Sequence, residues 1–236
     1  MGTGTIQAIS RAVQMLGMFS VQQLELSLAQ LSERFGLGKT TTHRYATSLR
    51  ENGLLRYDRR SGRYSLGIRL VQLGQVAQAG LYVVQAAGPY LERTANELNE
   101  TVVLSIWDGE SAVVVRIAEA PRRISYLGIR IGSKLSPKAA QTRIFRAHVD
   151  PRALRNPDLA RIRACGVAMA TFPEDDTRAV ACPIYQGGEV VAAIAVVGTP
   201  RRIPNRPDSA IAKYLRSAAE KLSGDLGSSE TEGPTK

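Results

Sequence analysis

The chain has 236 residues, 44% of them hydrophobic, enough for two modest domains that each bury a core. Thirty-one Lys and Arg against 21 Asp and Glu leave a net charge of +10, which suits a polyanionic partner. Cys165 and Cys182 form no CxxC or zinc-like array, no apolar run reaches the roughly 20 residues of a membrane span, and the N-terminus lacks a signal peptide's pattern, so a disulfide scaffold, a membrane protein and a secreted protein are excluded as readings and the cytoplasm is expected.

Ile6, Ile9, Val13, Leu16 and Phe19 recur at helical spacing, and Met15 and Met18 broaden the stripe. One side of this first helix is expected on a core, and the rest is available to a partner subunit. Ser27 with Gln30 three residues on is a capping-box pair, Leu28, Leu31 and Phe35 form a narrow apolar stripe, and Gly36 permits the positive φ that ends a short second helix. The third helix is read from about Lys39 to Asn52. At roughly 100° per residue, Thr40, Thr41, Arg44 and Ser48 fall on one face and Thr42, Tyr45, Ala46 and Leu49 on the other. Arg can fork onto guanine, Thr methyls can touch thymine, and hydroxyls reach phosphates or base edges, so the first face suits a major groove. Gly38 and Lys39 lie where the helix dipole favours phosphate.

Leu54 to Tyr57 and Arg63 to Leu66 are strand-like runs joined by Asp58-Arg59-Arg60-Ser61-Gly62, a hairpin with adjacent arginines at its tip. This order is a winged helix-turn-helix over residues 1–67, whose partner is a double-stranded DNA operator. Residues 1 to 70 carry ten Lys and Arg against four Asp and Glu, so the basic excess is concentrated on the motif. Ile68 to about Leu81 is read as a connector helix.

An α+β domain with a mostly antiparallel sheet is expected over residues 82–223. Tyr82 to Asn99 is read as one helix, and Thr101 to Trp107 and Ser111 to Glu119 as strands joined at Asp108-Gly109. Ile124 to Ile131 is a further candidate strand. Helices follow at Pro137 to Ala147 and Pro157 to Ala164, strands at Val167 to Met169, Ala179 to Tyr185 and Val190 to Val197, and a closing helix at Pro207 to Leu222. From Gly224 the composition is Gly, Ser, Thr, Glu and Pro, read as a disordered tail over 224–236.

The residues resemble the IclR-type transcriptional regulators. The matching motifs are Ser10-Arg11-Ala12, Leu28-Ala29-Gln30-Leu31, Gly36-Leu37, Lys39-Thr40-Thr41 with His43-Arg44, Ser61-Gly62-Arg63-Tyr64 with Leu66-Gly67, Asp108-Gly109, Val113 to Arg116, Gly132-Ser133-Lys134-Leu135, and Val191 to Gly198. The resemblance implies a winged DNA-binding domain, a linker helix and a GAF-like effector-binding domain. It also implies homodimers, which in part of the family pair into homotetramers. Its DNA-contacting set here is Arg11, Lys39, Thr40, Thr41, His43, Arg44, Ser48, Arg59, Arg60 and Arg63.

Its effector positions here are Leu127, Ile129, Ser133, Gln141, Thr142, Ala170, Ala179, Ala195 and Val197. The chain departs from the family in three ways, one of them a shorter stretch between Asp150 and Asp158. Ser136-Pro137-Lys138-Ala139-Ala140-Gln141-Thr142-Arg143 replaces a stretch that usually carries Gly-Ala and Gly-Lys pairs. Where members that sense small carboxylates tend to have Asp, Cys and two Ser, this chain has Ala170, Ala179, Ala195 and Val197. The expected pocket is therefore more apolar, with Gln141, Thr142 and Ser133 left to orient a ligand.

No enzyme is expected, because no phosphate loop, nucleophile elbow or metal-ligand spacing occurs, and neither cofactor nor metal is called for. His43 lies in the recognition helix and His148 reads as a helix-end residue; Glu174, Asp175 and Asp176 read as a solvated loop. Three other readings stay open: a DNA-binding regulator switched by cysteine oxidation, one that acts constitutively, and a non-DNA scaffold that keeps the winged fold.

Overall fold

The computed structural model describes residues 6–120 and 129–228. The chain divides into two compact units, Met1–Gly80 and Leu81–Lys236.

In the first unit, α1 (Gln7–Leu16), α2 (Leu28–Phe35) and α3 (Lys39–Glu51) surround a core of Met15, Phe19, Leu26, Leu31, Phe35, Ala46, Leu49, Leu55 and Tyr64. The capping box forms as the sequence predicts: the Gln30 N–H donates to Ser27 Oγ at 3.2 Å and the Ser27 N–H to Gln30 Oε1 at 2.9 Å. Gly36 closes α2 in the left-handed region at φ 66°. Strands β2 (Leu55–Asp58) and β3 (Arg63–Leu66) form the hairpin, and a short β1 (Leu26–Ser27) that periodicity does not reveal joins it in the order β1-β3-β2. The hairpin's base is locked by contact between backbones: the Gly67 N–H donates to the Leu54 carbonyl at 2.9 Å, and a Cβ at 67 would run into the Gly53 carbonyl. Helix α4 (Ile68–Ala79) follows and has no buried residue.

The apolar stripe on α1 divides. Met15 is buried and Phe19, beyond the helix, joins the core, whereas Ile6, Ile9 and Val13 are 64%, 60% and 63% exposed.

The second unit is a five-stranded antiparallel sheet in the order β5-β4-β8-β7-β6. Its strands are β4 (Thr101–Trp107), β5 (Ala112–Ala118), β6 (Ala168–Phe172), β7 (Thr177–Gln186) and β8 (Glu189–Gly198). Two helices occupy the stretch read as one, α5 (Tyr82–Ala86) and α6 (Gly88–Leu98). Pro89 has no N–H to continue the ladder, and the Arg116 guanidinium donates to the Val84 carbonyl at 3.3 Å and sits against Gly88, where a Cβ would collide with it. Helices α6 and α9 (Ala210–Ser228) pack on Val102, Leu104, Val180, Cys182, Ile194 and Val196. Helices α7 (Ala140–Val149) and α8 (Pro157–Cys165) pack on Val103, Ala168, Ala179, Ala181, Ala193 and Ala195 from the other side. The sheet is covered on both faces, so β7 is buried over most of its length and shows little alternation.

Helix α9 continues to Ser228, past Gly224 where the tail was expected to begin. Leu226 extends the buried stripe of Leu215, Ala219 and Leu222, and Tyr90 Oη donates to the Asp225 carboxylate. Of the candidate strand Ile124 to Ile131, residues 124–128 lie outside the described residues, and 129–131 belong to no strand. Among the described residues, no helix is long and apolar enough to cross a membrane.

Candidate nucleic-acid interface and effector cavity

Helix α3 has the two faces its sequence implies. Thr42, Ala46 and Leu49 are buried, and Tyr45 meets Phe35 edge-on with ring centroids 5.5 Å apart. Thr42 is tolerated in the core because its hydroxyl donates to the Gly38 carbonyl at 3.2 Å. Lys39, Thr40, His43, Arg44 and Ser48 are exposed, and Thr41 is half-buried. Gly38 precedes α3 without a side-chain cap, which leaves first-turn N–H groups free for an anion.

A groove of about 580 Å³ between α1 and α3 gathers Arg11, Thr41, His43, Arg44 and Ser48, with Glu51 at its edge. Arg11, which comes from α1, thus joins the α3 set. At the hairpin tip Arg59 and Arg60 are exposed. The Asp58 carboxylate accepts the Arg60 N–H at 2.9 Å and the Ser61 hydroxyl at 3.0 Å, bonds that hold its pKa below the ordinary value and fix the turn. Gly62, at φ 67°, completes the turn, while Arg63 is half-buried in β3 opposite Asp58.

In the second unit a cavity of about 200 Å³ lies at the start of α7. Its floor comes from cross-strand register, since Ala170, Ala179, Val197 and Thr101 form one row across β6, β7, β8 and β4. Ala179 and Val197 line the cavity, with Ile129, Leu135, Ala139, Ala140 and Phe172 supplying apolar walls. Its polar lining is Gln141, Thr177, Ser136, Lys134 and Asp175. The Lys134 ammonium lies 2.7 Å from Asp108 Oδ2 and 3.8 Å from Glu110 Oε2. That contact, with the Ser111 and Glu110 N–H groups, pulls the Asp108 carboxyl down to about 2.

The remaining candidate groups are structural in their surroundings. His148 Nδ1 meets the Ile144 carbonyl at 2.8 Å and Nε2 meets the Tyr185 hydroxyl at 2.9 Å, so both ring nitrogens are engaged. Cys182 is buried against α9, and burial pushes its thiol up to about 12. Cys165, half-buried at the end of α8, directs its thiol at the Val167 carbonyl at 3.4 Å. Among the described residues, no group of three His, Cys, Asp or Glu could hold a metal ion.

The sequence of residues 8–59 matches the profile of the IclR helix-turn-helix domain, and residues 138–224 match that of the bacterial transcriptional regulator IclR C-terminal domain. The chain belongs to the IclR family. Among its relatives are the HTH-type transcriptional regulators XynR of Escherichia coli, 26% identical over 94% of this chain and 98% of that one, and KipR of Bacillus subtilis, 26% identical over 94% and 97%. The IclR transcriptional regulator of Alicyclobacillus acidocaldarius superposes with a TM-score of 0.77 at 23% identity, covering 94% of this chain and 100% of that one. An IclR homologue from Microbacterium hydrocarbonoxydans, solved with 4-hydroxybenzoate, gives 0.74 at 23%, covering 93% and 98%.

This IclR regulator is therefore a DNA-binding transcriptional regulator with a C-terminal effector-binding domain, and not an enzyme. Of the effector positions named from sequence, Ile129, Gln141, Ala179 and Val197 line the cavity. Ala170 sits in the floor row without lining it, and Ala195 lies one row further in, fully buried beneath α7. The Thr142 hydroxyl accepts the Ala112 N–H at 3.4 Å and donates to the Leu135 carbonyl at 3.5 Å, which ties α7 to β5 and to the preceding loop. Ser133 Oγ accepts the Arg130 N–H at 3.3 Å within its own turn. Leu127 lies outside the described residues. Lys134, Phe172, Asp175 and Thr177 also line the cavity, and no local pattern in the sequence marks them for it. Phe172 followed by Pro173 and three acids reads as an ordinary loop.

Proposed function

We propose that this regulator binds a two-fold-symmetric operator as a homodimer, with the exposed α3 residues in the major groove and Arg59 and Arg60 on the adjacent backbone or minor groove. The observation that carries this reading is the sorting of α3: Thr40, Arg44 and Ser48 face outward from a helix anchored by Thr42, Ala46 and Leu49. Arg11 joins them across the groove, and the free N–H groups after Gly38 add an anion site. Footprinting on genomic fragments tests it: a discrete protected site is expected, and affinity no better than for random duplex at any salt concentration overturns it.

The homodimer is supported by apolar surface that the first unit leaves uncovered, Ile6 at the N-cap of α1, Ile9 and Val13 on it, and Ile68 and Val76 on α4 at 72% and 73% exposure. A pair of winged domains would present two recognition helices to successive major grooves. Operator affinity is in turn set by a small molecule in the cavity beside α7, whose ligand is less polar than a small carboxylate. Ala179, Val197, Phe172, Ile129 and Leu135 offer a small carboxylate no donor, and the ammonium of Lys134 is already engaged by Asp108. A cysteine switch has less to work with, because the Cys182 thiol is buried and held protonated.

A further inference from the structure

Among the described residues, the cavity beside α7 has an unbalanced charge. Lys134, the cationic side chain that lines it among the described residues, faces Asp108 and Glu110 and is neutralised by them. Asp175, by contrast, has no ion pair or hydrogen bond among the described residues, and its carboxylate stands exposed at the cavity's rim. Gln141 supplies a second, independent observation. It lines the same cavity at 2% exposure, and its side-chain amide has no hydrogen-bond partner among the described residues. The amide opens onto the cavity, where a bound polar group can pair with it.

We infer that the effector is a compact apolar amine: a body of about one ring seated on Ala179, Val197 and Phe172, with a primary ammonium held between the Gln141 carbonyl oxygen and the Asp175 carboxylate. This rests on the reading of the cavity as the effector site. An ammonium brings donors only, and the two oxygens accept from it. A carboxylate of the same shape meets the Asp175 charge and gains no free cation among the described residues, with the Gln141 N–H groups and the Ser136 and Thr177 hydroxyls as the donors left to it. The cavity's volume of about 200 Å³ suits a single ring with a short arm.

The test is titration calorimetry of the full-length protein with three ligands of one shape: phenethylamine, 2-phenylethanol and phenylacetate. The amine is expected to bind about tenfold or more tighter than phenylacetate. Asp175→Asn should weaken the amine about fivefold while leaving the alcohol unchanged. Gln141→Leu should weaken the amine and the alcohol together, and near-UV circular dichroism should show that both variants keep the native packing. Phenylacetate binding tighter than the amine overturns the charge assignment and leaves the cavity as an effector site. An amine affinity indifferent to Asp175→Asn overturns the assignment in the same way. Silence from all three ligands overturns both the amine and the effector reading of this cavity.

Discussion

Cys165, at the end of α8, and Cys182, within β7, differ in their chemistry. Cys182 sits among apolar side chains with its thiol pushed up to about 12, whereas Cys165 is half-buried at a helix end. Iodoacetamide at pH 8 is expected to modify Cys165 in the native protein and Cys182 only after denaturation, which intact and peptide mass spectrometry would read; equal labelling of both would show that the α9 face is open. Asp108 offers a pH test of the same kind. Its pKa is depressed from 3.8 to about 2 by Lys134 and two backbone N–H groups. A depressed carboxyl stabilises the fold above its unfolded value, so this contribution is complete above pH 3.8 and is lost as pH falls through about 2. The pair is largely solvent-exposed, so the effect on total stability is small. The cleaner readout is the Asp108 carboxyl titration by NMR, which Lys134→Met should move upward.

Within elements, the division of labour between α3 and the wing can be measured. Arg44 projects from the middle of α3, and Arg59 from the hairpin tip. Arg44→Ala is expected to cost about 1–3 kcal/mol on the preferred operator and to flatten the preference between operators, whereas Arg59→Ala should weaken every duplex alike and reduce the salt slope by about one. Competition binding over a graded salt series separates the two.

The same element scale shows what a single sequence discloses. The α2 limits were legible because Ser27, Gln30 and Gly36 each satisfy a backbone requirement locally. The α3 faces were legible because burial repeats with the helix period. The break at Gly88-Pro89 was read through, since it depends on Arg116, which comes from a strand that is distant in the sequence. The end of α9 was missed because Gly224 and Ser228 look like tail composition, while the residues that hold the helix there are Leu226 in the core and Tyr90 on another helix. The cavity was half legible. Gln141, Ala179 and Val197 were found through the family pattern, but Thr177, Asp175 and Phe172 meet them only through the pairing of β6, β7 and β8.

For the whole molecule, the first unit's uncovered side chains make self-association measurable. Ile6 at the N-cap of α1, Ile9 and Val13 on it, and Ile68 and Val76 on α4 are more than half exposed, an arrangement that a monomer in water pays for in solubility. Sedimentation velocity is expected to show a dimer that Val13→Glu or Val76→Glu dissociates, with operator affinity falling steeply in parallel. A monomeric wild type, or a charged variant that stays dimeric, would assign those side chains another role.

The alanines beneath α7 carry a practical corollary. Ala168, Ala179, Ala181, Ala193 and Ala195 present only methyl groups to that helix, and of the five only Ala179 lines the cavity. Its selectivity can therefore be narrowed in steps, by adding atoms at Ala179 on the open end of the series while the enclosed alanines stay untouched. On the proposed effector reading of this cavity, a sensor with a graded set of ligand sizes is reachable by one position, without excavating the interior that keeps the protein folded.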